Sequence, residues 1–592
     1  MDDFRTLWDR RVGAPFSAEQ FQSPPADLRG VPFWSWNCGM TREMITEQAE
    51  MFRDMGFGGV FIHSRTGMEV EYLSQEFFDL VLFAKAECQR LGLRMWLYDE
   101  DRWPSGAAGG KVTRDGAHRA EYLLFTHRKY GQCGNAQCSM RKPILPGRGG
   151  SRNENGTLLA CYDVELDEDG CLLRYAGYRG GEPRGELWYA YLEQAEPSAW
   201  FNGSTYINVL DADAVAAFTQ VTHEAYKSCL GEALGREIPA FFTDEPQHVY
   251  MQPMISPQRK NCIFLPWSRS FAQSFLQDKG YDILDRLPEV VFQFPSVKAR
   301  YDYHNHVADL FARNYCGTLA DWCRKNGVML TGHLMFEPTL QSQTLFIGDA
   351  MRCYPLFDLP GMDILADAHE YNTAKQVQSV SHQLGVPGVI SELYGKSGWD
   401  YDFRGHKLQG DWQAALGVTL RVPHLFWASM KGESKRDYPA SIGYQSPWWE
   451  QYPIIEDHFA RVACAMTRGT PLIRVGIIHP IESMYLHWGP ESQTAGSRET
   501  LDSRFAHLTQ LLLFHLIDFD FICEATLPDM NDLSGQGTGV GRMEYDVIVV
   551  PACETLRSTT AAYLEKCLRS GKRVLFLGGC PRLVDGVPAA PS

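Results

Sequence analysis

Thr41-Arg-Glu-Met-Ile-Thr-Glu-Gln-Ala-Glu-Met-Phe-Arg-Asp-Met-Gly56, followed by Phe57-Gly-Gly-Val-Phe-Ile-His-Ser64, is the stretch that decides the fold. In its first part Ile45, Ala49, Phe52 and Met55 recur at helical spacing. Thr41 offers a hydroxyl to cap the first turn and Gly56 a left-handed stop. In its second part Gly59 to His63 is an unbroken apolar run, as expected of a strand buried on both faces. A helix that hands over through glycine to such a strand is a repeating unit of a parallel α/β fold.

The unit recurs in both directions. Val31-Pro-Phe-Trp-Ser-Trp36 reads as strand one and Gly59–His63 as strand two. Ser74 caps a helix with Phe77, Leu80, Ala84, Cys88 and Leu91 on one face, Gly92 ends it, and Leu93–Tyr98 is strand three. A helix over Asp213–Cys229 leads to strand four, Ile238–Thr243, and one ending near Gly327 to strand five, Val328–Leu334. Strand six is Met362–Leu365; strand seven, Gly388–Ser391, follows a helix closing at Gly385; strand eight, about Val422–Trp427, follows one closing at Gly417. A last helix spans about Trp448–Arg468. Eight strands with intervening helices predict a (β/α)8 TIM barrel over residues 31–470, with 1–30 as an N-terminal extension.

Two insertions interrupt that pattern. Residues 115–205 are Gly-rich with short runs such as Thr157-Leu-Leu-Ala-Cys-Tyr162, which predict a small β-rich lobe. Residues 248–300, rich in Pro and aromatics, predict a loop and helix lid over the same end of the barrel. From 471 to 592 the texture changes to strands at Ile473–Ile478, Tyr545–Val550 and Arg573–Leu577, with helices near 502–516 and 559–570: a flavodoxin-like α/β domain. Cys553 follows one of these strands, but Pro551-Ala-Cys-Glu-Thr555 lacks the flanking glycines of a nucleophile elbow, so no catalysis is expected there.

The formal charge of −16, with no run of Lys or Arg, sets an unfavourable field for nucleic acid and for anionic membrane surfaces. Neither a secretory leader nor an 18-residue apolar span is legible, so a cytoplasmic location is expected; homo-oligomerisation and continuation beyond residue 592 are left open. Sixteen cysteines in so long a chain, many in apolar patterns (Cys88, Cys229, Cys323, Cys464), read as reduced, buried thiols. The pair Cys133 and Cys138 has no second pair at zinc-ligand spacing.

In a barrel the chemistry sits at the carboxyl ends of the strands. Here those ends deliver Trp36; His63 and Arg65; Asp99, Asp101 and Trp103; Asp244 and Glu245; His333 and Glu337; Asp367; Glu392 and Tyr394; His424 and Trp427. Facing carboxylates repel, so a purely structural barrel has no use for this concentration. Glycoside cleavage does: one carboxyl group protonates the leaving oxygen and a second attacks or activates water, while aromatic faces and polar groups hold the sugar. Trp34 and Trp96 read as barrel core, Trp103 and Trp399 as stacking platforms in loops, and the histidines equally as sugar contacts or as satisfied core residues.

Pro32-Phe-Trp-Ser-Trp-Asn37, Gly58-Gly-Val-Phe-Ile-His-Ser-Arg65, Tyr98-Asp-Glu-Asp-Arg-Trp-Pro-Ser-Gly106 and Phe242-Thr-Asp-Glu-Pro246 resemble the barrel of glycoside hydrolase family 106, the α-L-rhamnosidases, over roughly residues 30–470. The last part resembles the non-catalytic amidotransferase-like domain that follows the barrel in family 42 β-galactosidases. The resemblance implies a general acid at Glu245 and a second catalytic glutamate at Glu392; Glu337, a few residues beyond its strand, is by position the reserve acid. By their positions at strand ends and in the adjoining loops, Trp36, His63, Arg65, Asp99, Asp101, Trp103, Asp244, His333, Glu337, Tyr394, Trp399, His424 and Trp427 are expected to contact substrate. No cofactor is required by the sequence; the family's calcium is allowed, with Asp99, Glu100 and Asp101 as its oxygen donors or as sugar contacts. Burial and neighbouring carboxylates are expected to keep Glu245 protonated while Glu392 stays ionised. Two other readings stand beside this one: a retaining β-galactosidase-like hydrolase, because Asp244-Glu245-Pro246 is close to the Asn-Glu-Pro of that clan, and a non-catalytic carbohydrate-binding barrel.

Overall fold

The computed structural model describes residues 15–132, 153–386, 388–439 and 441–589. The repeating unit forms as its sequence requires. The Thr41 hydroxyl accepts from the Met44 N–H (3.3 Å) at the start of helix Arg42–Asp54, and Ser74 does the same for Phe77 (3.2 Å) at the start of Gln75–Arg90. Strands β1 (Phe33–Trp36), β2 (Gly59–Ser64) and β3 (Arg94–Tyr98) pair in parallel with intervening helices. Four strands then leave the barrel: β4 (Glu121–Thr126), β5 (Thr157–Leu166), β6 (Leu172–Gly177) and β7 (Glu186–Gln194). The barrel resumes at β8 (Ala240–Asp244); after a further excursion through β9 (Ile263–Pro266) it is completed by β10 (Met329–His333), β11 (Leu359–Ile364), β12 (Val389–Leu393), β13 (Val418–Pro423) and β14 (Phe426–Trp427).

The parallel sheet runs β13-β12-β11-β10-β8-β3-β2-β1-β14. Because β13 and β14 are two pieces of one chain segment broken at His424–Leu425, the sheet returns on itself as an eight-strand ring. The Val31 N–H donates to the Arg421 carbonyl (2.9 Å) along that seam. Strand eight therefore starts at Val418, directly after Gly417, earlier than its apolar run suggested; Thr419 and Arg421 mask the pattern.

Inside the ring a separate core of Phe33, Phe61, Trp96, Tyr98, Phe242, Ile390 and Leu420 fills the barrel. Trp34 and Trp36 instead belong to the shell between strands and helices. This division follows the two-residue period of a strand, successive side chains pointing to opposite faces.

The insertions join into one lobe. Its sheet is antiparallel, in order β6-β5-β7-β4-β9, so residues 263–266, in a stretch expected to be loop and helix, supply an edge strand against β4. Ile263-Phe-Leu-Pro266 is too short to announce itself, and its partner is about 140 positions away. Trp188 is buried at the lobe's centre between Phe125 (centroids 5.1 Å, stacked) and Phe292 (5.1 Å, edge-on). Cys133 and Cys138 lie outside the described residues. Cys88, Cys229, Cys323 and Cys464 are free as expected, whereas Cys262, just before β9, is disulfide-bonded. Such a link depends on closeness in space, which spacing along the chain does not report.

The last unit holds strands β15 (Val475–Ile478), β16 (Asp520–Ile522), β17 (Val547–Val550), β18 (Thr555–Leu556) and β19 (Arg573–Phe576). Four of them form a parallel sheet in order β16-β15-β17-β19, the second-first-third-fourth arrangement with which doubly wound sheets begin. Its long helix, Glu491–Phe514, starts well before the expected residue 502, because its early turns are polar and carry no apolar spacing. Cys553 is buried, which pushes its thiol up, the opposite of what a nucleophile needs. No described helix is long and apolar enough to cross a membrane.

Candidate active site

Following the inner face of each strand toward its carboxyl end, the side chains change from apolar to ionisable. After Phe61 comes His63; after Phe242, Asp244; after Met329 and Thr331, His333; after Leu359 and Gly361, Asp363; after Ile390, Glu392; after Leu420 and Val422, His424. These groups open into a cavity of about 360 Å³ lined by Arg65, Trp103, Trp200, Asp244, Glu245, Asp363, Glu392, His424, Asp437 and Tyr438, among others. Its floor is the aromatic layer of the barrel, with Tyr98 against His63 (3.8 Å) and Phe242 against His333 (5.4 Å).

Asp244 is held by the Tyr98 hydroxyl on Oδ2 (2.6 Å), and its Oδ1 lies 3.6 Å from His333 Nε2. The same Nε2 is 2.8 Å from Glu392 Oε2. His333 Nδ1 is buried without a hydrogen-bond partner among the described residues. Burial lowers the pKa of this imidazole, so it carries one proton. A buried orphan N–H costs more than a buried lone pair, so that proton sits on Nε2 and is donated to Glu392. Glu245 follows β8 with a positive φ of 45° and accepts a hydrogen bond from the Trp103 indole. Trp103 is positioned by the loop after β3, where the Glu100 carboxylate gathers the N–H groups of Asp101, Gly106, Ala107, Ala108 and Gly109. Arg65 is clamped by both oxygens of Asp437 (2.9 and 2.8 Å), touches His63 Nε2 (3.0 Å) and lies over the Trp427 ring (5.5 Å).

The electrostatics follow from crowding acids in a buried site. Burial, then the charges of Asp244 and Glu392, hold the Glu245 pKa well above the usual carboxylate range. Burial and the neighbouring acids, Glu392 first, do the same to Asp363, one of whose oxygens is buried without a partner among the described residues. Asp244 is pushed up to about 6 by burial and Glu392, and Glu392 to about 8 by burial. Four carboxyl groups with one guanidinium, already neutralised by Asp437, share protons at neutral pH. Within that group Asp244 sits lowest; Glu392, expected to stay ionised, is itself raised, because burial outweighs the Arg65 charge, and it differs from Glu245 in accepting the imidazole N–H and in facing that guanidinium.

The structure thus brings Glu245, Glu392, Asp244, Trp103, Arg65 and His424 together on the cavity wall, with His333 and His63 touching its groups. Other candidates lie elsewhere. Trp36 points outward against Trp34 and Phe77 (5.7 and 5.9 Å), because it has the opposite parity to Phe33. Asp99 is buried under Ser105 (2.5 Å), and Asp101 bonds Asn202 (3.2 Å) and pairs with Arg102 (3.1 Å). Glu337 accepts from the Leu334 N–H and the Tyr354 hydroxyl (3.0 and 2.9 Å) beneath the mouth. Tyr394 packs on His406 (4.3 Å), Trp399 donates to the Lys435 carbonyl (3.0 Å) outside the cavity, and Trp427 is barrel core. Asp363, Trp200, Asp437 and Tyr438 were not anticipated. Asp363 was legible in principle, two residues beyond the inward Gly361; the others come from irregular segments with no periodic signal.

Asp244, His333 and Glu392 are the described residues whose donor atoms approach one another closely enough for a shared ion, all within 4.8 Å. Calcium takes six to eight oxygens, and an imidazole nitrogen suits transition metals instead. Asp99, Glu100 and Asp101 are each engaged by the protein and do not converge. Neither set fits the oxygen shell of calcium.

No family model matches the chain. A curated protein of Formosa agariphila, provisionally named a β-glucuronidase, is 21% identical over 94% of this chain; the chain spans about half (49%) of that relative's length. The rhamnosidase of Novosphingobium sp. PP1Y superposes with a TM-score of 0.65 at 15% identity, covering 96% of this chain and 70% of that one. A β-galactosidase from Bacillus circulans sp. alkalophilus gives 0.56 at 10% identity, covering 96% and 74%. Likeness at this level establishes the fold: a barrel of the kind glycoside hydrolases use, followed by further α/β structure.

Proposed function

We propose that the cavity hydrolyses a glycosidic bond, releasing a terminal sugar, with Glu245 as general acid and Glu392 as the second carboxyl group. The observation that carries this reading is the unlike setting of two glutamates on one cavity. Glu245 is crowded by acids, which favour its protonated form; Glu392 receives a proton-donating imidazole and faces the Arg65 charge, both of which favour its ionised form. Divergent environments for paired carboxyl groups are how one site holds an acid and a base together. Glu245 donates its proton to the glycosidic oxygen as the bond breaks, and Glu392 either attacks the anomeric carbon or takes a proton from the attacking water. Asp244, Asp363 and His424 face the sugar's hydroxyls.

The terminal sugar is best read as α-L-rhamnose-like, supported by the sequence resemblance and by the shared fold of the Novosphingobium rhamnosidase. Residues 31–470 then form the catalytic unit with its lobe, and 471–592 an amidotransferase-like unit whose buried Cys553 takes no part. A panel of aryl glycosides, run with and without calcium, tests the reading. The wild type is expected to cleave at least one, and Glu245→Gln and Glu392→Gln each to lower kcat by about 10²–10⁴-fold. A wild type inert across the panel, or two fully active variants, overturns it. The anomer of the first-formed product then separates nucleophile from base for Glu392.

A further inference from the structure

The cavity has two unlike ends. Its inner end is polar and closed: Asp244, Glu392 and His424 are all buried. Its outer wall is aromatic and partly open, with Trp103 and Trp200 half-buried and Tyr438 45% exposed. Glu245 stands at the change between them, because the Trp103 indole donates to it. The Trp200 indole in turn donates to the Trp103 carbonyl (2.8 Å). Trp200 belongs to the short turn Ala199–Phe201 that brings the chain back from β7, so the lobe delivers it to the barrel mouth. One face of its ring is backed by the Arg102 guanidinium (5.9 Å), itself held by Asp101 and Asn202.

A general acid that protonates the glycosidic oxygen lies within hydrogen-bond reach of the leaving group's first atom. Side chains joined to that acid on its outer side therefore flank the leaving group, and the buried polar end takes the terminal sugar. We propose that Trp103 and Trp200 form a leaving-group subsite for a ring with an apolar face, either a pyranose or an aryl group. The subsite rests on the glycosidase reading and gives the inserted lobe a role in choosing what is released. An aromatic platform suits such a ring, since it buries a large apolar area at little cost in side-chain freedom.

The test uses the glycone identified by the panel above, attached to a second sugar, to an aryl group and to fluoride. Fluoride departs without a ring to stack. Trp200→Ala is expected to lower kcat/KM for the disaccharide relative to the fluoride by about tenfold, the usual cost of truncating an aromatic anchor. Trp200→Phe, which keeps a ring but not the indole N–H, is expected to recover most of that ratio. A parallel fall for the aryl glycoside marks a subsite that reads the apolar face alone; a fall for the disaccharide only marks one fitted to sugars. Equal losses on all three substrates, or no loss on any, overturn the subsite. A wild type that cleaves none of them overturns the glycosidase reading itself, a separate and visible result.

Discussion

Asp363 shows most directly what it costs to assemble this site. Its carboxyl group is pushed to a high pKa by burial and by Glu392, Glu245 and Asp244, and one oxygen has no partner among the described residues. The folded protein thus holds a proton at pH values where the unfolded chain has released it. Between those two limits the folded state binds more protons, so stability falls as pH rises through the window. Asp363→Asn removes the ionisation in both states. Its melting temperature is expected to match the wild type near pH 4 and to exceed it increasingly toward pH 8, by up to about 1.4 kcal/mol of relative stability per pH unit. A difference independent of pH, or a variant less stable at pH 8, would remove the claim that this carboxyl group is strained. Residues with two-sided chemistry of this kind were partly legible: Glu245 and Glu392 stand where strand ends predict them, yet the proton assignment needed the imidazole of His333, which only three dimensions bring to Glu392.

Elements explain why Asp363 escaped notice. The sequence reading starts strand six at Met362; in the barrel Pro360 and Gly361 also lie inside β11, with Pro360 in register with Gly332. Parallel strands buried on both faces were easy to count, since each is an apolar run closed off by glycine, but their ends are less regular. The glycines inside them mark close approach of neighbouring strands. Gly332, φ 132°, precedes His333, and a Cβ there would meet the Thr243 carbonyl oxygen at 2.0 Å. Gly332→Ala must therefore push β10 away from β8 as well as adopt a backbone conformation that alanine disfavours. The expected cost is more than about 2 kcal/mol in denaturant unfolding, with kcat reduced because His333 moves relative to Glu392. An alanine variant of wild-type stability would show that the two strands have slack at this point.

At the scale of the whole molecule, the barrel and the last α/β unit share buried charged contacts: Asp520 of β16 bonds His382 (2.8 Å), and a second buried carboxylate, Glu482, gathers three partners. Glu482, in the helix after β15, accepts from Arg352 (3.0 Å), a residue of the β10-to-β11 connection, and from the Tyr301 hydroxyl (2.5 Å) and Arg557. Its exposure is 1% and that of Arg352 is 4%, so these charges are solvated by each other and not by water. The same unit reaches the loops leaving the catalytic strands. Glu491 donates its N–H to the Met254 carbonyl (2.8 Å) beyond β8, and Asp502 accepts from the Leu340 N–H (2.8 Å) beyond β10. None of these contacts was legible in the sequence, because each pairs residues at least 75 positions apart with no periodic signal. Removing one member of a buried charged network costs about 3–5 kcal/mol. Arg352 keeps Asp349 and Asp309 (3.0 and 2.8 Å) and Arg557 keeps Asn305 (2.7 Å), so Glu482→Ala belongs at the low end, about 3 kcal/mol. That loss falls on the junction and not on either core. Calorimetry is therefore expected to show one unfolding transition in the wild type and two in the variant, the lower from the α/β unit. A single transition, shifted as a whole, would mean that the remaining contacts at the junction, His382 with Asp520 among them, suffice to couple the two, and that Glu482 adds stability without adding cooperativity.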